Sequence, residues 1–193
     1  MQRFSYTARM PKEFQAGALD VKAFAEAGAE LAGAATIGDF GRLLSETEDR
    51  GAQRSLAWSA RGELRNPLHV QPDVWLHLKA RGVLPLTCQR CLGPVDVTVS
   101  IERSFRFVAD EATAEAQDDA CEEDLLVTSR SFDLTGLLED EFLMELPLVP
   151  LHETCPEPVR LSAEDPGFEH ESPQESPFAV LARLKADGKD RAR

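Results

Sequence analysis

The sequence predicts an α+β domain: an antiparallel β-sheet with flanking helices, followed by an acidic linker and a short C-terminal helix. Three observations predict it. Apolar and polar residues alternate over 56–60, 74–80 and 95–108, the period of strands with one buried face. Apolar residues recur at helical spacing over 18–29, after Asp39 and over 134–146. Beyond His152 large apolar residues thin out while prolines and acids accumulate, which is linker composition. The expected boundaries are a single domain over 1–152, the linker over 153–175, and a terminal helix and tail over 176–193.

The first expected helix carries Leu19, Val21, Phe24 and Ala25 near helical spacing, with Asp20 as its start and Gly28 as its stop. A second follows Asp39, where Phe40, Leu43 and Leu44 fall at i, i+3 and i+4 inside an Ala- and Gly-rich stretch that blurs its limits. The sheet is expected from about Gln53 to Thr128. Leu56, Trp58 and Ala60 alternate with Ala57 and Ser59, and Val74, Leu76, Leu78 and Ala80 with Trp75, His77 and Lys79. The clearest strand places Val95, Val97, Val99, Ile101, Phe105 and Phe107 on one face. Arg103 interrupts that face, its long side chain reaching the sheet edge, and Glu102-Arg103 reads as a bulge. A short strand over 125–128 precedes Asp133, which caps a helix with Leu134, Leu137, Leu138, Phe142 and Leu146 on one side and Glu139, Asp140 and Glu141 mostly off it. Pro147 stops this helix and Pro150 keeps the next residues extended. Ser176-Pro177 then opens a short amphipathic helix whose Phe178, Leu181 and Leu184 form a docking face, for this domain or for another protein.

Charge is unevenly spread. The chain of 193 residues has a net charge of -13, which repels nucleic acid and anionic lipid and argues against a DNA-binding domain. Residues 1–106 hold 14 basic and 12 acidic groups, 107–175 hold 2 and 20, and 176–193 hold 5 and 2. The acidic segment suits a cationic partner such as a basic ribosomal protein, or else Glu111, Glu115, Asp118, Asp119, Glu122, Glu123 and Asp124 form a solvated, mobile loop. No apolar run approaches the ~18–20 residues of a membrane span, and the N-terminus lacks the apolar core of a signal peptide. The expected location is the cytoplasm, with no membrane partner.

Four cysteines are too few for a disulfide scaffold. Cys88-Gln89-Arg90-Cys91 is a C-x-x-C pair just past a strand, a spacing at which two thiolates share one zinc ion or form a redox disulfide. A structural zinc takes four ligands, and His152 and Cys155 are the other close pair. Cys88, Cys91, His152 and Cys155 would complete a tetrahedron; alternatively the cysteines are small buried or edge thiols and His152 is a solvated loop residue. Without a following helix to lower a thiol pKa, a thioredoxin-like role has less support. Phosphate-cradling loops and zinc-protease motifs are absent. Asp39-Phe40-Gly41 is a turn, the acids of the 134–146 helix are a solvated face, and Trp58 and Trp75 read as packing residues rather than a base-stacking platform.

Three segments together resemble one family: Leu86-Thr87-Cys88-Gln89-Arg90-Cys91-Leu92; the 134–152 run with Glu139-Asp140-Glu141 and Leu146-Pro147-Leu148-Val149-Pro150; and Ser176-Pro177-Phe178-Ala179-Val180-Leu181. They are similar to the YceD family of large ribosomal RNA subunit accumulation proteins. The resemblance implies a cytoplasmic bacterial factor in synthesis, processing or stability of large-subunit ribosomal RNA, without catalysis and without catalytic residues to carry over. Some relatives have a second cysteine cluster toward the C-terminus, where this chain has Cys155. The partner would be large-subunit (23S) ribosomal RNA or a basic large-subunit ribosomal protein. For direct RNA contact the candidates are Arg90, Arg103 and Arg106, joined by Arg81 around the C-x-x-C turn and its strand. The rival class is a zinc- or thiol-dependent redox enzyme or sensor built on Cys88 and Cys91.

Overall fold

The computed structural model describes residues 13–70 and 72–156. The expected terminal helix with Phe178, Leu181 and Leu184, and all but the first residues of the acidic linker, lie outside them.

The described chain runs α1 (Val21–Glu26), β1 (Glu30–Thr36), α2 (Gly41–Glu46), β2 (Ser55–Arg65), β3 (Asp73–Thr87), β4 (Pro94–Val108), α3 (Glu111–Asp118), β5 (Asp124–Val127) and α4 (Leu134–Met144). The strands form one sheet in the order β1-β2-β3-β4-β5, which makes the α+β reading correct. β1 to β4 are antiparallel neighbours. β5 runs parallel to β4, so the sheet is mixed at one edge where the sequence suggested antiparallel pairing throughout; α3 lies in the crossover that reverses the chain.

Helix ends follow local chemistry. Asp20 accepts a hydrogen bond from the Ala23 amide at 3.0 Å, and Asp133 accepts from those of Thr135 and Gly136 at 3.0 Å each, which satisfies first-turn donors. Thr36 and Asp39 cap each other reciprocally ahead of α2. Glu139 of α4 reaches across to α2, accepting from the Arg42 and Leu43 amides at 2.7 and 3.2 Å and from the Arg42 guanidinium at 2.9 Å.

One face of the sheet is buried. Leu56, Leu76, Leu78, Leu84, Ile101 and Phe105 meet Phe24, Leu43, Leu134, Leu138 and Phe142 from the helices, all under 5% exposed. Two glycines leave space that a side chain would fill, one between sheet and helix and one within the sheet. A Cβ at Gly62 would stand 2.8 Å from the Phe24 and Ala25 backbone of α1, and one at Gly82 would stand 2.1 Å from Leu56 Cδ2. The opposite face of β1 to β4 is open and carries Ala57, Ser59, Lys79, Arg81 and Ser100.

Four expectations need correction. The Ala- and Gly-rich stretch before Asp39 contains strand β1, whose Gly33 lies under the Trp58 ring so closely that an added Cβ would stand 3.1 Å from Cζ2. Glu111 to Asp118 form helix α3, capped by Asp110 through the Thr113 amide at 2.8 Å, instead of a loop. The β3–β4 pairing runs unbroken from Val74↔Phe107 to Thr87↔Pro94, so Glu102 and Arg103 form no bulge. Glu141 is buried among the core contacts of α4 rather than solvated. No helix among the described residues is long and apolar enough to cross a membrane.

Candidate metal centre

β3 and β4 end at the pair Thr87↔Pro94, leaving residues 88–93 to turn the chain. The turn closes on itself: the Cys88 amide donates to the Gly93 carbonyl and the Leu92 amide to the Cys88 carbonyl, both at 2.9 Å. Leu92 takes a left-handed φ of 59° to complete it, a conformation a non-glycine residue adopts only when its surroundings require it. Both sulfurs of the C-x-x-C are thereby turned toward the same side.

α4 ends after Met144, and Pro147 and Pro150 carry the chain past this turn. The Gln89 amide donates to the Pro150 carbonyl at 2.9 Å and stitches the two segments together. His152 and Cys155 consequently face Cys88 and Cys91. One ligand atom from each of the four lies within 4.8 Å of every other. In a tetrahedral zinc site with Zn–S near 2.3 Å and Zn–N near 2.0–2.1 Å, donors stand roughly 3.3–3.8 Å apart. The cluster therefore needs to contract by about 1 Å to meet that geometry.

The histidine is already oriented. Its Nε2 lies 3.0 Å from the Pro94 carbonyl oxygen, an acceptor only, so Nε2 carries the proton and Nδ1 keeps its lone pair. Nδ1 lies 3.4 Å from Cys91 Sγ. A ring N–H tied to a backbone carbonyl while the other nitrogen faces the donor cluster is the arrangement of metal-ligating histidines.

Electrostatics point the same way. Burial of Cys88 opposes its ionisation, but the N–H groups of Cys91, His152 and Arg90 directed at its sulfur outweigh burial and lower the thiol to about 5. The Cys155 thiol is raised, first by burial and then by the Cys91 and Cys88 sulfurs beside it. One sulfur is thus prepared as a thiolate while a neighbour is held back by it. A divalent cation among them would remove that conflict, because a coordinating thiol is deprotonated outright. All four positions are filled by protein donors, which leaves none for a water or substrate: this is the donor set of a structural site rather than a catalytic one.

Cys121 lies apart, its Sγ 3.1 Å from the Gln117 carbonyl oxygen. The arginines proposed for RNA contact are not brought together. Arg90 is exposed in the turn. Arg103 pairs across from Leu78, about 30 Å along the strand at ~3.3 Å per residue, and projects toward the helices, 3.6 Å from Glu141. Arg106 points to the other face and binds Glu123 at 2.7 Å and Gln117 at 3.0 Å. Arg81 lies midway, on the open face. Trp75 is also on that face, outside the core, under the Arg65 guanidinium at 4.1 Å from the ring centroid. Sequence reasoning passed over Glu141, whose position one residue before the apolar Phe142 gives no sign of burial, and Leu92, whose backbone conformation has no signature in composition.

A family model described as large ribosomal RNA subunit accumulation protein YceD matches residues 76–185, a span that takes in all four donors. A Haemophilus influenzae protein named large ribosomal RNA subunit accumulation protein YceD is 36% identical over 123 residues, covering 61% of this chain and 70% of that one. No solved structure matches. With more than half its length matched by the family model, and a relative identical at over a third of the aligned positions, the chain belongs to the YceD family.

Proposed function

We propose that this protein is a non-catalytic factor in the accumulation of large-subunit ribosomal RNA, and that one structural zinc ion held by Cys88, Cys91, His152 and Cys155 fixes its C-x-x-C turn to the segment after α4. The process comes from what the family is named for. The observation that carries the site is the convergence of four protein donors within 4.8 Å, with the His152 tautomer set by Pro94. A closed four-donor site supports a structural role over redox or hydrolytic chemistry, both of which need an accessible position.

Two measurements on the full chain test this. Protein purified without chelator should hold one zinc per chain, and Cys91→Ser should lose it; absence of stoichiometric zinc, with a reversible Cys88–Cys91 disulfide instead, would favour the redox reading. In cells, depletion should lower the ratio of large- to small-subunit ribosomal RNA, and the intact chain should restore it. An unchanged ratio would remove the accumulation role whatever the metal content.

A further inference from the structure

We propose that the open face of the sheet, over the middle of β2, β3 and β4, binds the sugar–phosphate backbone of single-stranded RNA. The choice of RNA rests on the accumulation reading above, which it deepens by placing the nucleic acid on this protein directly.

The register defines the surface. Ser59, Lys79 and Glu102 lie side by side across three strands, and Ala57, Arg81 and Ser100 form the next row. They line a depression of about 310 Å³. On the open face Ala57, Ser59 and Ser100 are so short that a flat, extended chain approaches the sheet closely. Two cations rise from it. Lys79 is shared with Glu102 at 2.7 Å, with both side chains well exposed, so the ammonium exchanges partners at little cost. Arg81 is exposed and makes no ion pair among the described residues. Arg61, beside His77, has only a 3.9 Å approach to Glu63. In a chain of net charge -13, these three lightly held cations, set beside Ala57, Ser59 and Ser100 and outnumbering the neighbouring Glu63 and Glu102, form a local binding surface for an anionic polymer.

The same composition argues against a protein occupant. Protein interfaces are anchored by large apolar or aromatic side chains in well-packed centres; Trp58 and Ile101 also line the depression, but they pack with the core on the opposite face of the sheet and offer no such anchor here. Serine hydroxyls and guanidinium groups instead suit phosphate oxygens and ribose hydroxyls. The other end of the face is closed to RNA: Arg106 is bound by Gln117 of α3 and by Glu123, and acidic α3 begins with Glu111. This confines the RNA to the half of the face around Lys79 and Arg81.

The test titrates the full chain against a fluorescent oligouridine of about 12 nucleotides over a range of salt concentrations. The paired variant Lys79→Ala/Arg81→Ala is compared with Lys22→Ala/Arg130→Ala, which removes the same charge away from the face. Wild type should bind with a negative slope of log affinity against log salt. The face variant should weaken binding at least about tenfold and flatten the slope by about 1.4, two contacts at ~0.7 each, while the control pair leaves both unchanged. Matching thermal melts show that the variants are folded. No binding by wild type at about 50 mM salt, or equal losses from both pairs, overturns the inference. The two readings fail separately. RNA binding lost on the face variant, with an unchanged ribosomal RNA ratio on depletion, sinks the accumulation role alone; a fallen ratio in a protein that binds no RNA sinks the open-face site alone.

Discussion

Removing the proposed zinc should release the segment 147–156 from the sheet while the sheet itself stays folded. Without an ion, little holds that segment. Its hydrogen bonds to the turn and the start of β4 are Gln89 N–H to Pro150 at 2.9 Å, His152 Nε2 to Pro94 at 3.0 Å, and two long sulfur contacts, His152 Nδ1 with Cys91 Sγ at 3.4 Å and the His152 amide to Cys88 Sγ at 3.5 Å. Two good hydrogen bonds contribute about 2 kcal/mol net. Apolar burial adds little, because Leu148 is 100%, Val149 59% and Leu151 44% exposed. Ordering ten residues costs about 10 kcal/mol, with Pro147, Pro150 and Pro156 already restricted. A structural zinc site supplies about 10–16 kcal/mol, enough to close that gap and no great excess over it. The core of the sheet, by contrast, rests on helices α1, α2 and α4, and from the cluster it takes only the buried Cys88 with Cys91 and Cys155 packed at its margin. Hydrogen exchange read by mass spectrometry, with and without a strong chelator, checks this. Peptides over 147–156 and the 88–93 turn should lose protection on metal removal, while peptides over 74–84 and 97–107 keep theirs. Verified zinc loss with no change in 147–156 would refute the reasoning, as would loss of protection throughout the sheet.

Three further outcomes follow from the packing. Glu139→Ala removes the acceptor for two α2 amides and the bidentate partner of Arg42, and should cost about 1–2 kcal/mol, read as a lower urea midpoint at unchanged slope. Burial works against ionisation of Glu139, but Arg42 and the α2 amides outweigh it and leave its carboxyl below the usual 4.5. Wild type therefore has this stabilisation above about pH 4.5 and loses it as pH falls through the lowered value, a dependence the variant should lack. Glu141 is raised, first by burial, against a weaker pull from Arg103 and with Asp124, Asp140 and Glu145 adding to the rise. Its ionised form opposes folding at neutral pH, so Glu141→Gln should raise the melting temperature there, with the advantage vanishing below the unfolded carboxylate pKa. Gly62→Ala should cost about 2–3 kcal/mol, since its Cβ meets α1 backbone rather than a side chain able to swing away; a melting temperature within a degree of wild type would contradict it.

How much was legible in the residues depended on which physical signal each element leaves. The long strands were, because β3 and β4 bury one face and alternate for 15 residues each. α4 was legible through its Asp133 cap and leucine stripe. β1 was not: it lies at the sheet edge, and its inward Gly33 must be small to fit under Trp58, so the strand carries no alternation to detect. β5 has four residues, too few for a period to distinguish parallel from antiparallel pairing. α3 buries nothing, so no apolar stripe marks it, although Asp110 followed by Thr113 and alanines was a readable cap. The four donors were legible as residue types and spacings. Their convergence was not, because it depends on a tertiary fact: α4 crosses the helix-covered face and delivers its end to the β3–β4 turn.

β3 joins the two sites in one strand, with Lys79 and Arg81 on its open side and Cys88 just past its end. A metal in the cluster would nevertheless be poorly placed to act as a switch for the face. Arg81 sits six residues before Thr87, about 20 Å along the strand, and every position between is paired with β4, with Leu84 and Leu86 also buried in the core. Thr87 is further tied to Arg50 and Glu48, which anchors the end of β3 to the loop after α2 independently of any ion. Release of the 147–156 segment would therefore change the surface around the C-x-x-C turn, where Leu92 and Val149 are exposed, and leave the register beneath Lys79 and Arg81 intact. If metal and RNA affinity prove coupled, the coupling has to travel through the turn's own surface, and the RNA footprint must extend from the open face to residues 88–93.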